Sequence, residues 1–223
     1  MPAFLPHLIL ENNFILHASR CIFWEQEKIL ILSDLHFGKT GHFRKEGIAV
    51  PQALYKEDLQ RLIAQIQFFK PHQLIIIGDM FHSHLNKELD FFKKWRDDFL
   101  QLSMILVRGN HDILTDSWYN AASIQVVEKS LSIGSFSFTH DMAEAENNLS
   151  NQYFFSGHIH PGVSVKGLGK QSLRLPCFYF AKQYAVLPAF SKFTGLHAIK
   201  SKRGDTVFAV LPGNHEEGSV VEL

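Results

Sequence analysis

The stretch Met104-Ile-Leu-Val-Arg-Gly-Asn-His-Asp112 runs from an apolar segment straight into a polar one interrupted by glycine. Met104 to Val107 is short, apolar and partly β-branched, which suits a strand buried on both faces of an α/β sheet. Gly109 breaks that strand. With no Cβ it allows a sharp turn, so Asn110 and His111 project from the strand's carboxyl end, where open α/β sheets bind their ligands. The layout is that of a strand delivering ligands to a metal, and four other places in the chain repeat it.

The first is Lys28-Ile-Leu-Ile-Leu-Ser33, reached from Asn13 to Trp24 through the polar turn Glu25-Gln26-Glu27, which predicts a hairpin feeding a buried strand. Asp34-Leu35-His36 follows directly, and the alternation of an extended chain would put Asp34 and His36 on one side. The segment from Phe37 to Val50 is a loop bearing glycines and charges, and Pro51 suits the first turn of a helix. Leu59, Leu62, Ile63, Ile66 and Phe69 then recur at helical spacing, ending before Pro71. Leu74 to Ile77 is a second buried strand and ends in Gly78-Asp79. Leu89, Phe92, Trp95, Phe99 and Leu102 mark a second amphipathic helix. Two βα units in succession predict a parallel sheet with helices on its faces.

The second half differs. Ile124 to Glu128, Leu131 to Ile133, Phe136 to Thr139 and Tyr153 to Phe155 read as short strands, as do Leu173 to Phe180, Tyr184 to Leu187 and Val207 to Leu211, so a second, more antiparallel sheet is expected. Two of these strands end in histidines: His140, and His158 with His160. No repeat, linker or low-complexity segment occurs, and residues 1–223 are expected to form a single domain.

Composition narrows the function. Lys plus Arg and Asp plus Glu each number 22, so no strong overall field draws the chain to nucleic acid or membrane, and any nucleic-acid contact must be local. Cys21 and Cys177 are far apart and in no metal-binding spacing, so two free, buried thiols are expected. The N-terminus lacks a basic leader followed by an apolar run, and no stretch approaches the roughly 20 apolar residues that span a bilayer. A cytoplasmic protein without membrane partners is the expectation. Most of the 20 phenylalanines fall at core spacings, whereas the 13 histidines cluster, which is more informative.

The strand ends together supply Asp34, His36, Asp79, Asn110, His140, His158 and His160. This set of carboxylate, imidazole and amide groups, without thiolate, suits hard or borderline divalent metals. Seven side chains exceed one ion's usual quota, so two ions are served if one carboxylate bridges them, and Asp79 is the candidate bridge. His111, beside a ligand, is placed to protonate a leaving oxygen. His82 shares a loop with Asp79, and Asp112 a turn with Asn110, so both are expected to support the ligands from behind. Lys39 and Arg44, in the loop directly after two ligands, are candidates for contacts to substrate phosphates. Gly213-Asn214-His215 repeats the Gly-Asn-His triplet, but no histidine pair follows it, and it reads as a surface turn.

Asp34-x-His36, Gly78-Asp79, Gly109-Asn-His-Asp112, His140 and Gly157-His-x-His160, in that order, resemble the signature of the calcineurin-like metallophosphoesterases. The resemblance implies a four-layer αββα sandwich of two mixed β-sheets flanked by helices. It also implies one metal on Asp34, His36, Asp79 and His160, a second on Asp79, Asn110, His140 and His158, and His111 as general acid. Asp34-Leu-His-Phe-Gly-Lys39, Phe43-Arg44-x-x-Gly47-Ile-Ala-Val-Pro51, Gly78-Asp-x-x-His82-Ser83, Arg174-Leu-Pro-Cys-Phe178 and Leu187-Pro-Ala-Phe190 with Phe193-Thr-Gly195 resemble, more narrowly, the ligase-associated DNA-damage-response endonucleases, the PdeM-like branch. That likeness implies two divalent ions, manganese first with iron or zinc as alternatives, a phosphodiester substrate in nucleic acid, and DNA-repair partners such as a ligase. One departure is His82, which stands where many phosphoesterases carry an acid three residues after the bridging aspartate. Two other readings stay open: a phosphomonoesterase or nucleotide pyrophosphohydrolase acting on a small molecule, and a metal-stabilised scaffold in a repair complex.

Overall fold

The structure, a computed structural model, describes residues 2–37, 53–82, 87–144, 151–166, 172–213 and 218–223. Its first sheet takes seven strands in chain order: β1 (Phe4–Ile9), β2 (Asn12–His17), β3 (Cys21–Trp24), β4 (Ile29–Ser33), β5 (Gln73–Ile77), β6 (Ser103–Val107) and β7 (Gln125–Val127). β1 to β4 form an antiparallel meander, and β4 to β7 run parallel. Parallel neighbours need crossovers, and among the described residues three helices occur in them: α1 (Ala53–Phe69), α2 (Lys87–Asp97) and α3 (Asp116–Ala121).

The apolar runs of the central strands serve two cores at once. Leu30, Leu32, Leu74, Ile76, Met104 and Leu106 point to one side and pack with Leu62 and Ile66 of α1, Phe92 and Trp95 of α2, and Trp118 and Tyr119 of α3. Their alternates Ile29, Ile31, Ile75, Ile77 and Val107 point to the other side. That period of two is why these strands read as continuous apolar runs rather than as alternations.

The opposite face meets a second sheet, built from β8 (Ser130–Ile133), β9 (Phe136–Thr139), β10 (Tyr153–Ser156), β11 (Pro161–Lys166), β12 (Ser172–Phe180), β13 (Tyr184–Val186), β14 (His197–Ala198), β15 (Thr206–Leu211) and β16 (Ser219–Glu222). The order is β14-β11-β12-β13-β10-β9-β8, with β15 on β12 and β16 on β15. β9 with β10, and β10 with β13, pair in parallel, so this sheet too is mixed. Phenylalanines fill the space between the sheets: Phe14, Phe136, Phe138, Phe155, Phe178, Phe180 and Phe208. Two mixed sheets face to face with helices outside is the expected α/β sandwich. Among the described residues the helical layer lies on the first sheet. A small apolar cluster of Cys177, Tyr179, Val186 and Val207 covers part of the second sheet's other face.

Two local expectations are corrected. The segment at Ile124 to Glu128, assigned to the second sheet, pairs in parallel with β6 and closes the first. The six-residue α3 ahead of it is too short to show a helical period. The second helix ends at Asp97, before Phe99 and Leu102. Those two pack from a turn, where the Arg96 guanidinium donates to the carbonyls of Phe99 and Leu102 and satisfies the helix end. Cys21 and Cys177 are free and buried, and burial pushes both thiols up to about 12. Among the described residues no helix is long and apolar enough to cross a membrane.

Phe155 is fully buried, stacks on Phe138 at 5.5 Å between ring centroids and lies 5.0 Å from Phe14 across the sheet interface. Phe155→Ala is expected to cost about 3–5 kcal/mol and to lower the Tm by at least about 6 °C in thermal unfolding. A shift below about 2 °C would mean that the two sheets are not close-packed there.

Candidate metal centre

Both sheets direct strand ends to the same edge. Asp34 and His36 follow β4, Gly78 and Asp79 follow β5, and Gly109 to Asp112 follow β6. From the second sheet, His140 follows β9, while His158 and His160 lie between β10 and β11. Their side chains meet in two groups of three, Asp34 with His36 and His160, and Asp79 with His140 and His158. Within each group the candidate ligand atoms all lie within 4.8 Å of one another.

In the first group His160 Nε2 stands 3.2 Å from His36 Nε2 and 3.3 Å from Asp34 Oδ1. In the second, His140 Nε2 lies 3.2 Å from His158 Nδ1 and 3.5 Å from Asp79 Oδ1. Asp79 joins the two, because its Oδ2 faces His36 Nε2 at 3.9 Å and, at the same distance, His111 Nε2. Asp34, Asp79 and His140 are buried almost completely, whereas the His111 side chain keeps 48% of its exposure. Asn110 is exposed on the same turn as His111. Lys39 and Arg44 lie outside the described residues, as do Asn214 and His215.

Convergence of so many groups costs backbone energy. Asp34, His36, Asp79, His158 and His160 have φ between 48° and 70°, in the left-handed region that side chains other than glycine's rarely adopt. Each such residue costs on the order of 1–3 kcal/mol and persists only where its surroundings enforce it. The enforcement here is visible. Asp34 and His36 donate their N–H groups to the carbonyls of Gly78 and Asp79 at 3.1 and 2.9 Å, so the two loops continue side by side after the strands have ended. This corrects the extended-chain reason for pairing Asp34 with His36: the two converge because both are left-handed. Glycines stand where the packing admits no Cβ. One added at Gly78 would lie 2.1 Å from His140 Nδ1, and one at Gly157 would lie 2.6 Å from Asp34 Oδ2.

A further set of groups holds these side chains in place. His140 Nδ1 lies 3.2 Å from the Ile77 carbonyl, which places its proton there and turns the Nε2 lone pair toward Asp79 and His158. Asp112 binds three backbone N–H groups, those of Met80 (2.9 Å), Phe81 (3.1 Å) and Gly109 (2.8 Å), and so ties the turn after β6 to the loop after β5. Burial pushes the Asp112 carboxyl up to about 7, against the pull of those backbone donors. The His82 ring lies 4.2 Å from that of His111 and 5.3 Å from that of His36.

Two contributors escaped sequence reasoning. Asp141, next to His140, has its Oδ2 3.8 Å from His158 Nε2. Arg108 braces the turn by donating to the Asp112 carbonyl at 3.0 Å and by pairing with Asp116 and Glu128. The signal available was adjacency, of Asp141 to His140 and of Arg108 to the turn from Gly109 to Asp112.

The donor set fits divalent cations. All ligand atoms are oxygen or nitrogen, and two pairs of imidazole nitrogens face each other at 3.2 Å. With the His140 proton on Nδ1, its Nε2 meets His158 lone pair against lone pair unless a proton or a cation stands nearby.

Residues 27–176 match the family model of the calcineurin-like phosphoesterases. No curated protein matches the chain. Among solved structures the chain is similar to the crystal structure of Pseudomonas putida nuclease MPE, with 27% identity and a TM-score of 0.79 over 93% of this chain and 96% of that one.

Replacing Asp112 by Asn would set an amide N–H₂ against one of the backbone N–H groups that the carboxylate now accepts. Asp112→Asn is expected to cost about 1.5–3 kcal/mol, to lower the Tm by about 3–10 °C, and to weaken Mn²⁺ binding measured by calorimetry. An unchanged Tm together with unchanged metal affinity would show that the loops hold their register without this carboxylate.

Proposed function

Because the chain belongs to the calcineurin-like phosphoesterase family, we propose that it is a dinuclear-metal phosphoesterase that hydrolyses phosphodiesters in nucleic acid. The observation that carries this reading is the position of Asp79, whose two carboxylate oxygens face the two histidine groups while His111 stands beside it. Asp34, His36, Asp79 and His160 would hold one cation, and Asp79, Asn110, His140 and His158 the other. Two such cations supply Lewis acidity toward phosphoryl oxygens and bring the ionisation of water to near neutral pH. The absence of thiolate favours manganese, with iron or zinc as alternatives.

The chain's own residues perform the rest. The His111 backbone N–H donates to Asp79 Oδ1 at 2.9 Å, which fixes the turn so that the exposed imidazole edge faces the solvent side of the centre. There it is placed to give its proton to the leaving oxygen as the phosphorus–oxygen bond breaks. His82, packed on the ring of His111, limits its rotation in place of an acid. Lys39 and Arg44 steady the phosphates of a longer substrate. Since both sheets furnish ligands to one centre, residues 1–223 act as one domain.

The nuclease neighbour supports nucleic acid as the substrate class. A cytoplasmic role in DNA repair, beside a ligase or another repair protein, is the setting that the sequence resemblance suggests.

His111→Ala is expected to retain metal and to lose turnover by roughly 10²- to 10⁴-fold on DNA, with a much smaller loss on a diester that has a very good leaving group. An equal loss on both substrates would make His111 a positioning residue. The same assays, run with Mn²⁺ on single-stranded DNA, RNA, a chromogenic diester and a phosphomonoester, test the substrate class. Rapid monoester hydrolysis without cleavage of either nucleic acid would replace the nuclease reading by a phosphatase.

A further inference from the structure

Behind the metal centre, the segment from Pro188 to Ser191 runs beside the end of β4. Phe190 N–H donates to the Ser33 carbonyl at 2.8 Å, and Ser191 N–H to the Asp34 carbonyl at 3.2 Å. Two arginines grip it. Arg20 Nη1 donates to the carbonyls of Ala189 (3.3 Å) and Ser191 (2.9 Å), while Arg61 donates to that of Phe190 and lies 4.2 Å over its ring. Both arginines also line a cavity of about 640 Å³ whose walls include none of the metal-centre residues. That volume lies within the range of small-molecule sites.

The chemistry of this cavity is distinctive. Among the described residues Arg20, Arg61, Arg174 and Lys192 line it, and no carboxylate does. The nearest acids paired with them are Asp58, 3.1 Å from Arg61, and Glu57, 3.9 Å from Lys192. Among the described residues, four positive charges against two make a local excess in a chain whose formal charge is zero. Burial, and then the charge of Arg61, pull Arg20 down to about 10, so its charge is held at a cost that an anion would relieve. Leu175, Leu196 and Val210 supply apolar wall beside the cations.

Two sequence motifs with no part in the metal centre converge here. Arg174 and Leu175 come from Arg174-Leu-Pro-Cys-Phe178. The gripped strap is the end of Leu187-Pro-Ala-Phe190, and Thr194 of the following Phe193-Thr-Gly195 lines the cavity.

We propose that this cavity is a second ligand site, which takes a nucleoside monophosphate. The cationic side chains meet the phosphate, and the apolar wall meets the base. Cations alone would suit any anion. The apolar wall asks for a ligand that also carries a flat ring. The site stands apart from the catalytic reading, because its occupancy does not require the metal centre.

The test is calorimetric titration of the full-length protein with deoxyadenosine monophosphate, as purified and again after chelation of metal. One site per chain is expected to survive chelation. The double variant Arg174→Ala, Lys192→Ala should weaken it by about tenfold or more, since hydrogen bonds to charged groups are lost. Both side chains are exposed, so the variant should keep the wild-type Tm. Inorganic phosphate should bind at least about tenfold more weakly than the nucleotide. Binding that vanishes on chelation, that ignores the double variant, or that is equally strong for phosphate overturns the proposal. A 5′-phosphorylated oligonucleotide that competes for the chelated protein assigns the site to a strand end, and one that does not compete assigns it to a free nucleotide.

Discussion

The carboxylate of Asp79 is where the two sheets become one site. It is 3% exposed, follows the strand Gln73–Ile77 directly, and presents one oxygen to His140 of the second sheet and the other to His36 of the first. Its Oδ1 also accepts the His111 N–H, so the residue proposed to move the proton is registered on the residue proposed to bridge the metals. A shift in the angle between the sheets changes all of these distances together. The aromatic layer between the sheets, with Phe14, Phe136, Phe138 and Phe155 in mutual contact, therefore bears on the site as much as on the core.

The same convergence explains where strain is stored. Five ligand candidates occupy left-handed backbone, at a cost that the strands beneath them and the Asp112 bonds to three N–H groups must offset. Cations would add to that holding force, since they bind the folded arrangement and not the unfolded chain. A close-packed scaffold thus carries a centre that is unfavourable on its own, which is the usual relation between a rigid sheet edge and its functional loops.

Much of this was legible in the sequence, for identifiable reasons. Lys28 to Ser33, Leu74 to Ile77 and Met104 to Val107 are apolar without interruption because both faces of their strands are covered, and each is followed at once by its polar residues. Position in the chain therefore reported position in space. The histidines at 140, 158 and 160 were legible for the same reason. The strand Phe4–Ile9 was not, because Pro6 and His7 interrupt its apolar residues at a sheet edge. The six-residue helix Asp116–Ala121 is shorter than two helical turns, too short for periodicity to show. The cavity flanked by Arg20, Arg61 and Arg174 was invisible in principle, since its walls come from parts of the chain as far apart as Ala18 and Gly218. The turn geometry at Asp34 and His36 was also out of reach, as left-handed backbone at an aspartate or histidine leaves no mark on a hydrophobic pattern.

The central claim is that one carboxylate joins two metal sites. Electron paramagnetic resonance of the protein titrated with Mn²⁺ tests it most directly, because two ions sharing a carboxylate about 3.5–4 Å apart are magnetically coupled. The account predicts two Mn²⁺ per chain with a coupled spectrum, and for Asp79→Asn a spectrum of isolated, weakly held ions. A single bound ion in the native protein, or a coupled pair that persists in Asp79→Asn, would contradict it.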